Sequence, residues 1–384
     1  MTRRTPRRER SPLHVAPRAA RPTSLVAGLA VLALLGGCSV SPPQSNAEPT
    51  APIGPRVPLS ELAVAADPRA LTGPSTALIE STAINPVAID PAQSLPVTVV
   101  SRDLDGDRQV VVDDTSRVLA LDIAGSIAAT VFALGFGDDV VGRDISTTFP
   151  EAASLPIVTS SGHAISSEAV LALRPTLVIT DGTVGPTDVV LQLREAGVTV
   201  VYVDAEPGLS APAELARQVS AALGSPETGE LLAQRLEREL AEVLATIASI
   251  RPGNPGDRVR ILFLYLRGAS GIYYLFGEES GADELITGLG GIDVAGEIGW
   301  TGLRPMTDEA LVAANPDLIL VMTGGLESVG GVDGLLAEKP AVGLTRAGET
   351  RRFVDMDDGE VLSFGPRTPT VLDALARAIY APGS

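Results

Sequence analysis

Four side chains in this chain offer chemistry beyond packing: one thiol, a scarce imidazole, and a phenol with a guanidinium close by in sequence. Cys38 is the only cysteine among 384 residues, so neither an intramolecular disulfide nor a thiolate metal cluster is open to the chain. His163 lies in the small polar run Ser160-Ser161-Gly162-His163-Ala164, and the only other histidine is His14. One imidazole cannot build the multi-histidine sites that hold bare zinc or manganese. It also has no nucleophile partner evident in sequence, and no Gly-x-Ser-x-Gly elbow occurs, which argues against a hydrolase. Tyr265 and Arg267 stand two residues apart and share one side of a strand that continues that far. A phenolate is a hard donor suited to ferric iron, and a guanidinium beside a phenol oxygen favours the charged form. Each has a plainer alternative: a surface or structural histidine, a tyrosine packed under helices, an exposed charge.

The thiol bears on where the chain goes. Arg3, Arg4, Arg7, Arg8 and Arg10 precede the run Ser24 to Gly37, apolar except for its opening serine. These are the charged and apolar parts of a secretory signal. The run is too short to span a bilayer, which takes roughly 20 residues. Its ending, Leu35-Gly36-Gly37-Cys38, resembles a bacterial lipobox. That resemblance implies a lipoprotein signal peptide over 1–37 and lipidation of Cys38, with the chain held at the outer face of the cytoplasmic membrane. A buried core cysteine is the alternative. Cleavage there leaves 22 basic and 46 acidic residues, a formal net charge of −24. Such a surface repels nucleic acid and anionic headgroups, so no nucleic acid partner is expected and the membrane is met through the lipid only.

These residues need elements to position them. Residues 38–100 read as anchor, Pro/Ser/Ala-rich spacer and an N-terminal extension; Pro68, Pro74, Pro86, Pro91 and Pro96 break its apolar runs, and it is expected to pack loosely. From 101 to 205, short apolar strands alternate with helices, as in a parallel sheet covered by helices. Within 206–252, Ser225-Pro226-Glu227 reads as a helix start with serine as cap. Leu232, Leu236, Leu240, Val243, Ile247 and Ile250 then mark one helical face. About 25 residues at 1.5 Å give a rod of roughly 37 Å, long enough to cross a domain. A second strand-helix series fills 253–384, beginning at Arg260.

The two series are related. Ile165 to Ile179 recurs as Met306 to Leu320 at a constant offset of 141, with Glu168 matching Glu309 and Pro175 matching Pro316. Two like lobes joined by one helix would face each other across a cleft, and in open α/β sheets ligands bind beyond the carboxyl ends of the strands.

Leu171-Ala-Leu-Arg-Pro175-Thr-Leu-Val-Ile179, Leu134-Gly-Phe-Gly-Asp-Asp-Val-Val-Gly142 and Leu289-Gly-Gly-Ile-Asp293 resemble the substrate-binding lipoproteins of ABC importers for iron chelates, haem and cobalamin. The fold so implied is α/β, with two similar Rossmann-like lobes joined by one long α-helix and a ligand cleft between them. Tyr265-Leu-Arg267-Gly268 with Gly271-Ile-Tyr-Tyr-Leu-Phe-Gly277 resembles the haem-binding subgroup of this family. The resemblance implies haem b as transported ligand, with His163 and Tyr265 as axial ligands and Arg267 tuning the tyrosine. A porphyrin asks the protein for only one or two such ligands. A ferric siderophore or a corrinoid is the alternative cargo. The implied partners are haem, an ABC permease and its ATPase; the chain is expected to be a monomer and not an enzyme. Trp300 either stacks on the macrocycle or serves a hinge or core. Arg304, the offset counterpart of His163, either meets a propionate or lines the rim. Met322 either touches the ring or fills the core. Glu168 and Glu279 align with lobe-tip acids that dock onto the permease, or are incidental exposed acids.

Overall fold

The structure is a computed structural model and describes residues 56–383 apart from Ser161 and Ala205; Cys38 and the leader lie outside the described residues. Strands Val118–Leu121, Val140–Arg143, Leu177–Thr180 and Thr199–Tyr202 form an all-parallel sheet in the order second, first, third, fourth. Their sequences are nearly unbroken aliphatic runs because helices cover both faces. Helices Ser126–Leu134 and Ala211–Ala222 cover one face; Ser167–Leu173 and Thr187–Glu195 cover the other.

The second sheet has seven strands. Arg260–Arg267, Leu318–Met322 and Phe353–Met356 run parallel at its centre. Ile272–Phe276 and Leu303–Pro305 extend it antiparallel on one side, and Ile292–Asp293 pairs with the start of Arg260–Arg267. On the far side the edge strand is Ser75–Ala77, from the N-terminal extension.

That strand overturns the expectation of a loosely packed extension. Leu59, Ala77 and Ile79 are buried in the core of the second sheet, and leucine and isoleucine side chains contribute about 1.5–3 kcal/mol each when fully buried. Arg352, wholly buried, donates to the carbonyls of Gly73, Ala378 and Ile379 and to the Ser75 hydroxyl, fastening the strand to the end of helix Thr368–Tyr380. Further on, Ile84, Val97, Val99, Val110 and Val112 join the core of the first lobe. The prolines exclude helix but tolerate extended edge chain. The extension therefore belongs to both lobes.

Helix Pro226–Ile250 links them, as its apolar spacing predicts. Leu232, Ala233 and Leu236 enter the first core, while Ile247 enters the second. Ser225 does not cap it. Its hydroxyl donates to the Ala92 carbonyl at 2.6 Å and lies 2.8 Å from the Thr228 hydroxyl, tying helix and extension together.

The duplication is visible residue by residue. Helices Ser167–Leu173 and Asp308–Ala314 are each capped by a hydroxyl, Ser166 and Thr307, accepting an N–H at 3.2 Å. Each ends on a left-handed residue, Arg174 or Asn315, and each leads into an apolar strand. The lobes meet where the loop 357–367 of the second touches the first. Arg367 pairs with Glu360, donates to the Thr82 carbonyl and lies 5.7 Å over the Phe149 ring.

Candidate ligand cleft

Strand register decides which candidate residues share a face. Ala77 pairs Met356, Met356 pairs Met322, Tyr265 pairs Tyr274 and Tyr274 pairs Pro305. Val321 pairs Leu264, so the next pair in that parallel register sets Met322 beside Tyr265. One rung thus crosses the second sheet near the carboxyl ends of its parallel strands, with Tyr265 flanked by Met322 and Tyr274. Tyr265 is half-buried against the cluster that holds Met322, and its ring meets the edge of Phe276 at 5.9 Å.

Arg267 lies two residues nearer the strand end, opposite Ile272. Its guanidinium sits over the face of the Tyr265 ring, 4.6 Å from the centroid. It donates to the Leu266 carbonyl at 3.0 Å and pairs with Asp358 at 3.1 Å; Asp358 in turn accepts the Gly324 N–H at 2.7 Å. The geometry differs from a guanidinium set against the phenol oxygen, because a carboxylate not singled out by the sequence holds it elsewhere. Asp358 lies in the turn just after strand Phe353–Met356, which brings its carboxylate to the end of Arg260–Arg267.

His163 occupies a tight turn of the first lobe. Thr159 bridges Ile165 antiparallel, and Ala164 bridges Gly185. The His163 N–H donates to the Ser160 carbonyl at 2.9 Å, and its φ of 56° lies in the left-handed region, uncommon for a side-chain-bearing residue. Its Nδ1 is buried without a hydrogen-bond partner among the described residues. A buried imidazole nitrogen normally finds a partner, so this one asks for an explanation.

The remaining candidates divide. Met322 is 9% exposed and faces the same side as Tyr265, so it serves the core at the head of the sheet. Trp300 packs against the cluster on the opposite face, and its carbonyl accepts the Glu278 N–H. Arg304 registers with Leu275, which is buried in that same opposite cluster, and its guanidinium bonds to Thr301. Alternation along the strand puts Arg304 on the other side of the sheet from Tyr265. The offset equates Arg304 with His163, but one is in a sheet-edge strand and the other in a turn. Leu303 and Pro305, exposed, occupy the Tyr265 face instead. Glu168 is exposed in the first turn of its helix; its structural counterpart is Glu309, also exposed, whereas Glu279 sits in a turn at φ 68°.

Acids collect where the lobes meet. Asp122, Asp144 and Asp181 follow three adjacent strands of the first sheet. Burial, then the Asp144 and Asp181 charges, push Asp122 up to about 7. A cavity of about 190 Å³ lies there, between Asp122, Asp181 and Thr183 on one side and Leu362 and Phe364 on the other. Cavities of about 450 and 460 Å³ run along the linking helix. None of these three is lined by His163, Tyr265 or Arg267.

Two α/β lobes built on parallel strands, a long linking helix and candidate residues at the strand ends define a two-lobed ligand binder. The chain belongs to the periplasmic binding protein family, whose model matches residues 123–359. It is 25% identical over 304 residues to the uncharacterized ABC transporter substrate-binding lipoprotein YvrC of Bacillus subtilis (strain 168), covering 78% of this chain and 88% of that one. Among solved structures it resembles the heme binding protein HmuT, with 38% identity, a TM-score of 0.76, and coverage of 82% of this chain and 99% of that one. HmuT has also been solved with an arginine, a tyrosine or a histidine singly replaced by alanine. The periplasmic heme-binding protein RhuT from Roseiflexus sp. RS-1 is 40% identical at a TM-score of 0.63, covering 70% and 98% of the two chains.

Proposed function

We infer that this chain is a haem-binding lipoprotein that captures haem outside the cell and hands it to an ABC permease and its ATPase, without catalysing a reaction. The observation that carries the reading is the tyrosine–arginine pair at the head of the second sheet, stacked at 4.6 Å, in a chain similar to haem-binding proteins. The three HmuT residue types replaced by alanine are those of His163, Tyr265 and Arg267, and its tyrosine and arginine stand two positions apart as these do.

In this reading Tyr265 and His163 ligate the iron of haem b from opposite lobes. The buried Nδ1 of His163, without a hydrogen-bond partner among the described residues, and the tight turn that carries the residue support that role. A phenolate and an imidazole both suit ferric iron. Tyr274 and Leu303 supply apolar surface to a flat macrocycle, while Met322 packs in the core beside Tyr265. Cys38 carries the lipid that keeps a monomeric chain at the outer face of the membrane, and Glu168 with Glu309 or Glu279 meets the permease.

Hemin added to the purified protein should give a strong Soret band. Tyr265→Ala and His163→Ala should each weaken binding by at least about tenfold, the loss of one coordinating side chain. A spectrum indifferent to both variants removes haem and favours a ferric siderophore or corrinoid as cargo.

A further inference from the structure

Arg267 has two claimants. Its Nη2 faces the Asp358 carboxylate at 3.1 Å, its Nη1 donates to the Leu266 carbonyl at 3.0 Å, and its plane lies over the Tyr265 ring. None of its hydrogen bonds among the described residues goes to the phenol oxygen. Asp358 is itself fixed, since one oxygen accepts the Gly324 N–H at 2.7 Å while the other meets the guanidinium. Both partners are about one-third exposed, which leaves the pair weak enough to exchange.

We propose that Asp358 is a positioning residue: in the ligand-free protein it holds Arg267 off the Tyr265 oxygen, and a Tyr265 phenolate, formed by losing its proton to solvent when a ferric ligand binds, would take the guanidinium over. The inference rests on Tyr265 acting as a ligand. A phenol gives the guanidinium no charge to bind, so the carboxylate wins. A phenolate two residues back on the same strand would be a charged acceptor, so Arg267 would lose little by exchanging one anion for another. Asp358 therefore works against tight binding, and its charge sets how easily the ligand is taken up and let go. Nearby charged groups already have their own partners: Asp355 is bonded by the Thr76 and Thr323 hydroxyls, and Glu360 by Arg367. Asp357 accepts the Gly359 N–H.

The test is Asp358→Asn, which keeps an acceptor for Gly324 but removes the charge, compared in the wild-type and Arg267→Ala backgrounds of the purified protein. In the wild-type background, hemin transfer to apomyoglobin should slow roughly threefold, the size of effect expected of a part-exposed ion pair. The phenolate-to-iron charge-transfer band should strengthen. In the Arg267→Ala background the substitution should change neither. Without hemin, the guanidinium resonances of Arg267 should move on Asp358→Asn. Unchanged or faster hemin loss overturns the proposal, as does an equal effect in the Arg267→Ala background. Failure of the wild-type chain to form a Tyr265-dependent hemin complex sinks the haem reading instead; unmoved guanidinium resonances in the ligand-free protein would separately overturn the latch.

Discussion

Asp122 accepts three hydrogen bonds, from the Ser126 N–H and hydroxyl and from the Ile127 N–H, yet its carboxyl titrates near 7 because burial and two neighbouring carboxylates outweigh them. An unfolded aspartate titrates near 3.9. Between about 4 and 7 the folded state therefore binds a proton that the unfolded state lacks. The contribution to stability is full below about 4 and is lost as pH rises through about 7. Burial also raises Asp181, Asp357 and Glu360. The unliganded protein should melt a few degrees higher at pH 5.5 than at pH 8, and Asp122→Asn should flatten that slope; a melting temperature that falls on acidification contradicts the account. At this scale the sequence is partly transparent. Tyr265 and Arg267 are legible as neighbours because strands repeat every two residues. Asp358 is not, because it reaches Arg267 only through the register of two strands separated by the whole of the second repeat. The offset that equates Arg304 with His163 misleads for the same reason, since it carries no information on which face a strand presents.

The two capped helices, the strands after them and the linking helix are all legible, because hydroxyl caps, apolar runs and helical periodicity are local signals. The extension is illegible for the opposite reason. A three-residue strand gives almost no pattern, and its partner, Phe353–Met356, lies at the far end of the chain. Arg352 anchors it by donating to backbone acceptors, with burial lowering its basicity to about 10. Arg352→Met should cost about 2–4 kcal/mol in urea unfolding, since it orphans several buried acceptors at once. Removal of residues 56–80 should leave the second lobe insoluble or unfolded while residues 97–223 retain their helical signal. A truncated chain with unaltered unfolding would show that the extension is dispensable.

Over the whole molecule, the duplication offers a test of how the lobes meet a permease. Glu168 and Glu309 occupy the same place on equivalent helices, a pseudo-symmetric pair that a symmetric partner could read. Glu168→Arg with Glu309→Arg should abolish haem-dependent growth while hemin binding stays normal. Glu279→Arg with Glu168→Arg tests the other second-lobe contact, and full uptake by both double variants would move the docking surface elsewhere.

The edge strand Ser75–Ala77 has a consequence for biogenesis. Thr76 bonds to Asp355 across 279 residues of chain. The first lobe is nearly contiguous and has all its strands once residue 202 has emerged. The second must keep its first-made strand unpaired until Phe353–Met356 has been made. Its sheet is closed by the oldest and youngest parts of the polypeptide together, so assembly of that half is set by the slow search of distant ends.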